Sequence, residues 1–349
     1  MDDVARLSPR DRAELFGTAS FRRGDMRPEV VEKDFWVCWV LKQIFGLDAA
    51  LFAPIFKGGT SLSKFYGAIR RFSEDVDLSV DRRLLGLGED EATLRASSRK
   101  QRGRFLDRLS ETCREAVATR FVPALEGRFT ESLGRPSTIA SSWSVTIDPE
   151  DADRQTILFA YPRYAERPKA AEAPYLRPVV RLEMGARGES WPSENGAIVP
   201  YAAEALPEAF GDPHCQVRVL AAERTFWEKA TLLHACYHRP SDQRLPDRLS
   251  RHYYDVARLH EVGIGKRALA DLPLLRRVAA HKDLFFPAKW ARYEAAVPGT
   301  LRLVPPQARR QEIETDYAKM REMFFEEPPS LDRVFALIRE VEDLVNAAG

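Results

Sequence analysis

Several signatures that would settle a function outright are missing from this chain. Its most apolar run, Phe35 to Leu41, is seven residues long. A membrane span needs roughly 20 residues, so no membrane partner is expected. Cysteine is scarce and scattered: Cys38, Cys113, Cys215 and Cys236 form no Cys-x-x-Cys pair. That excludes a zinc knuckle and a disulfide framework, and it fits a reduced, cytoplasmic setting. Charge of one sign is lacking too. The net charge is +1, so no global field draws the protein onto nucleic acid, and any basic surface has to be local. There is no Gly-x-x-x-x-Gly-Lys-Ser/Thr phosphate loop and no Gly-x-Ser-x-Gly nucleophile elbow. His234 and His238 are four apart but lack a Glu-x-x-His context, so a core or solvent role is expected for them rather than zinc. No internal repeat is visible. The charged start, MDDVARLSPRD, is not expected to act as a signal peptide.

What is present centres on Lys57 to Val80, KGGTSLSKFYGAIRRFSEDVDLSV. Two glycines and two hydroxyl residues open it, and a short amphipathic run and an arginine pair follow. From Asp75 to Val80 polar and apolar residues alternate, which predicts a strand with one buried face. Side chains two apart on a strand share a face, so Asp75 and Asp77 project together. Adjacent carboxylates repel unless a proton or a divalent ion lies between them. An oxygen-only ligand set favours Mg²⁺, or Mn²⁺, held together with substrate phosphates. A glycine-hydroxyl turn just upstream suits those phosphates, because backbone N–H groups can approach them closely.

The 349 residues suffice for two domains. Residues 28–45 predict a helix apolar on most sides, with Glu32, Lys33 and Asp34 as a solvated charged head. A short strand at 54–56 feeds the glycine turn, and a short helix covers 62–69. An amphipathic helix is predicted over 97–121. Its head carries Arg95, Arg99, Lys100, Arg102 and Arg104, either as a solvated face or as a contact for RNA phosphates. Strands are predicted at 143–147, 156–161 and 179–184, with a proline- and charge-rich loop at 162–178. In the last strand Val180, Leu182 and Met184 share one face, and Arg181 and Glu183 the other. Residues 186–214, rich in Gly, Pro, Ser and Asn, contain the expected domain boundary, and the chain is helical beyond it. We therefore expect a domain over residues 1–200 and a helical one over 201–349. Lys229 sits among apolar neighbours on a helix over 222–237 and calls for an anion, either Glu228 or a triphosphate. Arg251 and Asp255, four apart on a helix over 248–262, have the spacing of an ion pair.

A glycine-hydroxyl turn one helix ahead of Asp-x-Asp resembles the signature of polymerase-beta-like nucleotidyltransferases. Four stretches together narrow the resemblance: VEKDFWVCWVL at 31–41, the KGGTSLSK…RFSEDVDLS block, ERTFWEKATLLH at 223–234 and RHYYDVARL at 251–259. They are similar to the AbiEii/AbiGii-type nucleotidyltransferase toxins of abortive-infection and toxin–antitoxin systems, over about residues 28 to 262. The resemblance implies an α+β fold, a mixed sheet flanked by helices, with a helical C-terminal domain that contributes Lys229 and Asp255 to the site. It implies that Lys57, Gly58, Gly59, Thr60, Ser61, Arg71 and Lys229 bind the nucleotide, and that Asp75, Asp77 and Glu183 hold Mg²⁺. Glu183 lies in Arg-Leu-Glu-Met-Gly, a looser match to the family's acidic strand. Glu183 or Asp255 would serve as general base. The implied reaction moves a nucleoside monophosphate from an NTP to an RNA, with the tRNA 3′ end as acceptor, and an antitoxin protein is the implied partner. Two other readings stay open: transfer to a small molecule or a protein hydroxyl, and a non-catalytic nucleotide sensor or immunity partner.

Overall fold

The computed structural model describes residues 1–73, 75–136, 143–163 and 177–349. Most of the loop expected at 162–178 lies outside them. In chain order the first elements are α1 (Asp2–Ala5), α2 (Pro9–Arg23), α3 (Pro28–Phe45), β1 (Ile55–Lys57), α4 (Gly58–Lys64) and β2 (Asp75–Ser79). There follow α5 (Glu91–Ala96), α6 (Arg99–Ala116), α7 (Val122–Leu133), β3 (Ser144–Ile147), β4 (Thr156–Ala160), β5 (Val179–Gly185), β6 (Ser193–Ile198), α8 (Tyr201–Ala205) and β7 (Cys215–Leu220). The remainder is helical: α9 (Ala222–Tyr237), α10 (Ser250–Glu261), α11 (Ile264–Leu269), α12 (Leu272–Phe285), α13 (Arg310–Lys319) and α14 (Leu331–Asn346). The architecture is thus α+β, as expected. Among the described residues no helix is long and apolar enough to cross a membrane.

Contacts divide the chain into two compact units. The first comprises Met1–Phe65, Phe72–Glu89 and Gly103–Val219, and the second Tyr66–Arg71, Asp90–Arg102 and Leu220–Gly349. The first unit is built on a seven-stranded mixed sheet in the order β3-β4-β5-β2-β1-β7-β6. β2 runs parallel to β5 and antiparallel to β1, and β1 runs parallel to β7. Because β7 pairs with β1, this unit extends to Val219, well past residue 200.

Alternation along the strands gives the sheet a chemical sidedness. Val76, Leu78, Ile157, Phe159, Val180, Leu182 and Met184 are all buried and point one way. The helix α3 packs on that side. Trp36 and Trp39 meet Phe159 at ring separations of 5.9 and 5.7 Å, and Phe129 of α7 meets it at 4.7 Å. Such close aromatic packing explains why α3 is apolar on nearly every side. It also overturns the expectation for the helix head: Glu32, Lys33 and Asp34 are buried, not solvated. Lys33 donates to the Arg177 carbonyl at 3.0 Å. The residues between the apolar ones on β2 and β5, Asp75, Asp77, Arg181 and Glu183, occupy the opposite face.

In the second unit α10 packs against α9 and α14. Asp316 caps the start of α10, accepting from the backbone N–H groups of Arg248 and Ser250 at 2.8 and 2.7 Å. The Tyr66–Arg71 segment joins this unit through backbone bonds. Phe325 donates to the Arg70 carbonyl at 3.1 Å, and the Arg70 N–H donates to the Tyr254 hydroxyl at 3.2 Å. His234 is a core residue, as expected. Its Nε2 lies 3.0 Å from the Arg292 carbonyl, and its Nδ1 accepts from the Arg302 N–H at 3.0 Å. Burial pushes its pKa down to about 4, so the ring is neutral and has no nitrogen left for a metal.

Candidate active site

The glycine turn joins β1 to α4 without a loop: Lys57 ends the strand and Gly58 begins the helix. Gly58 takes a left-handed φ of 77°. A Cβ there would lie 1.8 Å from Oδ2 of Asp77, so the glycine lets the backbone press against the carboxylate. Lys57 stands opposite Asp77 in the β1–β2 register, so it borders the same face.

The two hydroxyl residues do something other than what was expected of them. Thr60 is 2% exposed, and its hydroxyl donates to the backbone carbonyls of Ser73 (3.2 Å) and Asp75. Ser61 is 0% exposed and donates to the Gly58 carbonyl at 2.9 Å. Both side chains satisfy the local backbone, as buried hydroxyls must. Thr60 thereby ties α4 to the start of the Asp-x-Asp strand. Ser61 likewise braces the first turn of α4 from within.

Register on β2 and β5 gathers the acidic side chains. Asp77 is the cross-strand partner of Glu183, and Asp75 that of Arg181. Arg181 works as an internal counter-charge. Its guanidinium lies 2.6 Å from Asp148, 3.3 Å from Asp75 and 3.8 Å from Glu183. Sequence reasoning missed Asp148, which stands just before Pro149 between β3 and β4. The cation does not neutralise the face. Glu183 is pushed up to about 7, first by burial and then by the charges of Asp77 and Asp75, against the lowering effect of Arg181. Surplus negative charge carried by hard oxygen donors is the condition a divalent cation relieves, so Asp75, Asp77 and Glu183 fit Mg²⁺ or Mn²⁺.

Lys229, Arg71 and Asp255 meet within the second unit. The guanidinium of Arg71 grips Asp255 with two bonds of 2.8 and 2.7 Å, and the Lys229 ammonium lies 2.9 Å from the same carboxylate. Arg71 is 1% exposed and Asp255 is 0% exposed. Burial alone would raise the Asp255 pKa, but Arg71 and Lys229 outweigh it and hold the group well below the usual carboxylate range. A carboxylate so clamped stays ionised near neutrality. Arg71, expected at the nucleotide, is buried against Asp255. The Arg251–Asp255 pairing allowed by spacing gives way to Arg71–Asp255. Lys229 is lowered by burial, and its ammonium also lies 3.4 Å from Nδ1 of His252.

The mixed sheet thus carries an acidic face beside a glycine-started helix. A family model described as nucleotidyl transferase AbiEii toxin, type IV toxin–antitoxin system, matches residues 40–346. The chain belongs to that family. Among solved structures it is similar to MenT4, a nucleotidyltransferase toxin from Mycobacterium tuberculosis H37Rv. The identity is 16%, the coverage is 96% of this chain and 98% of that one, and the TM-score is 0.44. Comparison with curated proteins found no match.

Proposed function

We propose that the protein is a divalent-cation-dependent toxin that transfers a nucleoside monophosphate from an NTP to an RNA hydroxyl, at the 3′ end of a tRNA, releasing pyrophosphate. The observation that carries this reading is the pairing of Asp77 with Glu183 on adjacent parallel strands, with Asp75 on the same face and Gly58 against Asp77. Mg²⁺ or Mn²⁺ held by Asp75, Asp77 and Glu183 would supply charge neutralisation at the α-phosphate. The backbone N–H groups that open α4 receive the phosphates. Glu183, on the same face as Asp75 and Asp77, is the carboxylate placed to take the proton of the attacking hydroxyl. The role given to Lys229 is a contact with the nucleotide phosphates. Its buried ammonium is chemically suited to one, as is Lys57 on the acidic face. Most of the rate then comes from positioning and electrostatics rather than from covalent chemistry.

Preference for RNA over a small acceptor rests on the head of α6. Arg99, Lys100 and Arg104 are exposed and make no ion pair among the described residues. Three cations near a helix start oppose the helix dipole, a local cost that a polyanion would offset. A cognate antitoxin protein is the expected partner of a family member, and cytoplasmic RNA and NTP set the expected compartment. The test is transfer of label from α-³²P-NTPs in the presence of total RNA, followed by RNase. Label made soluble by RNase supports the RNA acceptor, whereas RNase-resistant label on protein or on a small molecule would replace it. Asp75→Ala should abolish transfer and leave the fold intact, and undiminished transfer removes the metal assignment.

A further inference from the structure

The charged head of α3 has no role in the chemistry described so far, yet it is buried beside the helix that begins at Gly58. Asp34 and Lys64 have side chains 2% and 3% exposed, and Oδ1 and Nζ lie 2.9 Å apart. The other Asp34 oxygen accepts from the Tyr201 backbone N–H at 2.6 Å. The Lys64 ammonium also lies 3.4 Å from the centroid of the Tyr201 ring. Burial alone would lower the Lys64 pKa, but the Asp34 charge outweighs it, and Lys64 stays ionised above the ordinary lysine range.

Two features point to a function for this pair beyond stability. Buried ion pairs seldom stabilise a fold more than well-packed apolar residues of similar size, because desolvation cancels much of the attraction. In addition, α4 has only seven residues, Gly58 to Lys64, too few to hold a helical form unaided. It is tied at both ends. Near its start Thr60 bonds the carbonyls that lead into β2, and at its last residue Lys64 meets Asp34. Moving the far end tilts the near end, where Gly58 touches the carboxylate of Asp77.

We propose that Asp34 and Lys64 are positioning residues for the nucleotide: the pair fixes the direction of α4, and so where the glycine turn stands against the carboxylate of Asp77. This rests on the nucleotidyl-transfer reading above. Neither residue touches the substrate, and the ring and backbone of Tyr201 complete the clamp.

The experiment compares the wild type, Lys64→Arg and the double variant Asp34→Leu/Lys64→Met, a mostly apolar replacement of the pair. Three quantities are read: the thermal midpoint, the affinity for NTP with Mg²⁺ by calorimetry, and KM for NTP and for the acceptor. The double variant is expected to melt within a few degrees of wild type. Its NTP affinity should nevertheless fall by at least about tenfold through displacement of the turn, with the acceptor KM unmoved. Lys64→Arg, which keeps the charge pair, should recover most of that loss. A double variant with wild-type NTP affinity overturns the proposal, and so does an equal loss in Lys64→Arg. If the double variant fails to fold, Asp34→Asn decides instead: NTP affinity unchanged from wild type in that variant overturns the proposal. A wild type that binds NTP but labels no acceptor sinks the reaction and leaves the clamp standing on affinity. One that binds no NTP sinks both.

Discussion

Substituting Gly58 by alanine tests the proposed site at its tightest point. The new Cβ would stand 1.8 Å from Oδ2 of Asp77, 2.7 Å from its Cγ and 3.1 Å from its Cβ. Real Cβ atoms do not approach other heavy atoms closer than about 3 Å, so the carboxylate must move by more than about 1 Å. Alanine must also adopt φ of 77°, at a cost of about 1–2 kcal/mol. Geometry errors of this size at a reacting centre lower rates about 100-fold. The expected result is a protein that folds, binds Mg²⁺ or Mn²⁺ more weakly and transfers label at about 1% of the wild-type rate. A double-mutant cycle with Asp77→Ala isolates the clash. In the Asp77→Ala background the carboxylate is gone and only the 3.1 Å approach of the two Cβ atoms remains, so Gly58→Ala should cost little beyond the backbone strain. Denaturant midpoints of the four proteins give the coupling. If Gly58→Ala costs the same stability with and without the Asp77 carboxylate, or if the single variant keeps full activity, the close approach of turn and carboxylate is not what the site depends on.

Three further outcomes follow from the same geometry. Glu183→Gln should stabilise the metal-free protein at alkaline pH. A glutamate raised from 4.5 to about 7 contributes stability below its unfolded value and loses it as pH rises through about 7. With the side chain 44% exposed, solvent screening reduces the gain to about 1 kcal/mol. Melting curves in chelator at pH 5 and pH 8 check this, and a difference that does not grow with pH contradicts it, while transfer activity should fall about 100-fold or more. Asp255→Asn leaves the Arg71 and Lys229 charges without their shared partner and should cost about 3–5 kcal/mol in denaturant unfolding; a loss below about 1 kcal/mol would show that the network relaxes freely. Thr60→Val removes the bonds to the Ser73 and Asp75 carbonyls and should cost about 1–3 kcal/mol. It should also slow transfer, measured by label incorporation, through the shift of α4 against β2.

Much of the first unit is legible in the sequence because strand alternation is a local property. Counting residues puts Asp75 and Asp77 on one face, and likewise Arg181 and Glu183; the structure adds that β2 and β5 are neighbours in register. Partner choice is not legible. Arg251 has the spacing to pair with Asp255, but Arg71, 184 residues away in sequence, takes the carboxylate. Helical spacing says which residues can meet on one element and is silent about what another element delivers. The bonds made by the hydroxyls of Thr60 and Ser61 are illegible for a related reason. Composition says a hydroxyl can bind phosphate, whereas burial decides whether a backbone carbonyl has already claimed it.

The head of α3 shows a signal that the sequence does carry. A helix head bearing Glu32, Lys33 and Asp34 reads as solvated on general grounds, although charged residues can be fully buried when they are paired. Here the flanking residues argue for burial: Val30 and Val31 precede the charges and Phe35 to Leu41 follow them, leaving no polar side from which solvent could reach the turn. A helix apolar all round is a buried helix, and charges inside it must find partners within the fold. Lys64, the one cation in GGTSLSK, is the complement that the same block supplies. Burial pressure on a charge and a short helix in need of an anchor are one inference seen from two ends, and that is why the acidic residue on α3 and the lysine on α4 have to be read together.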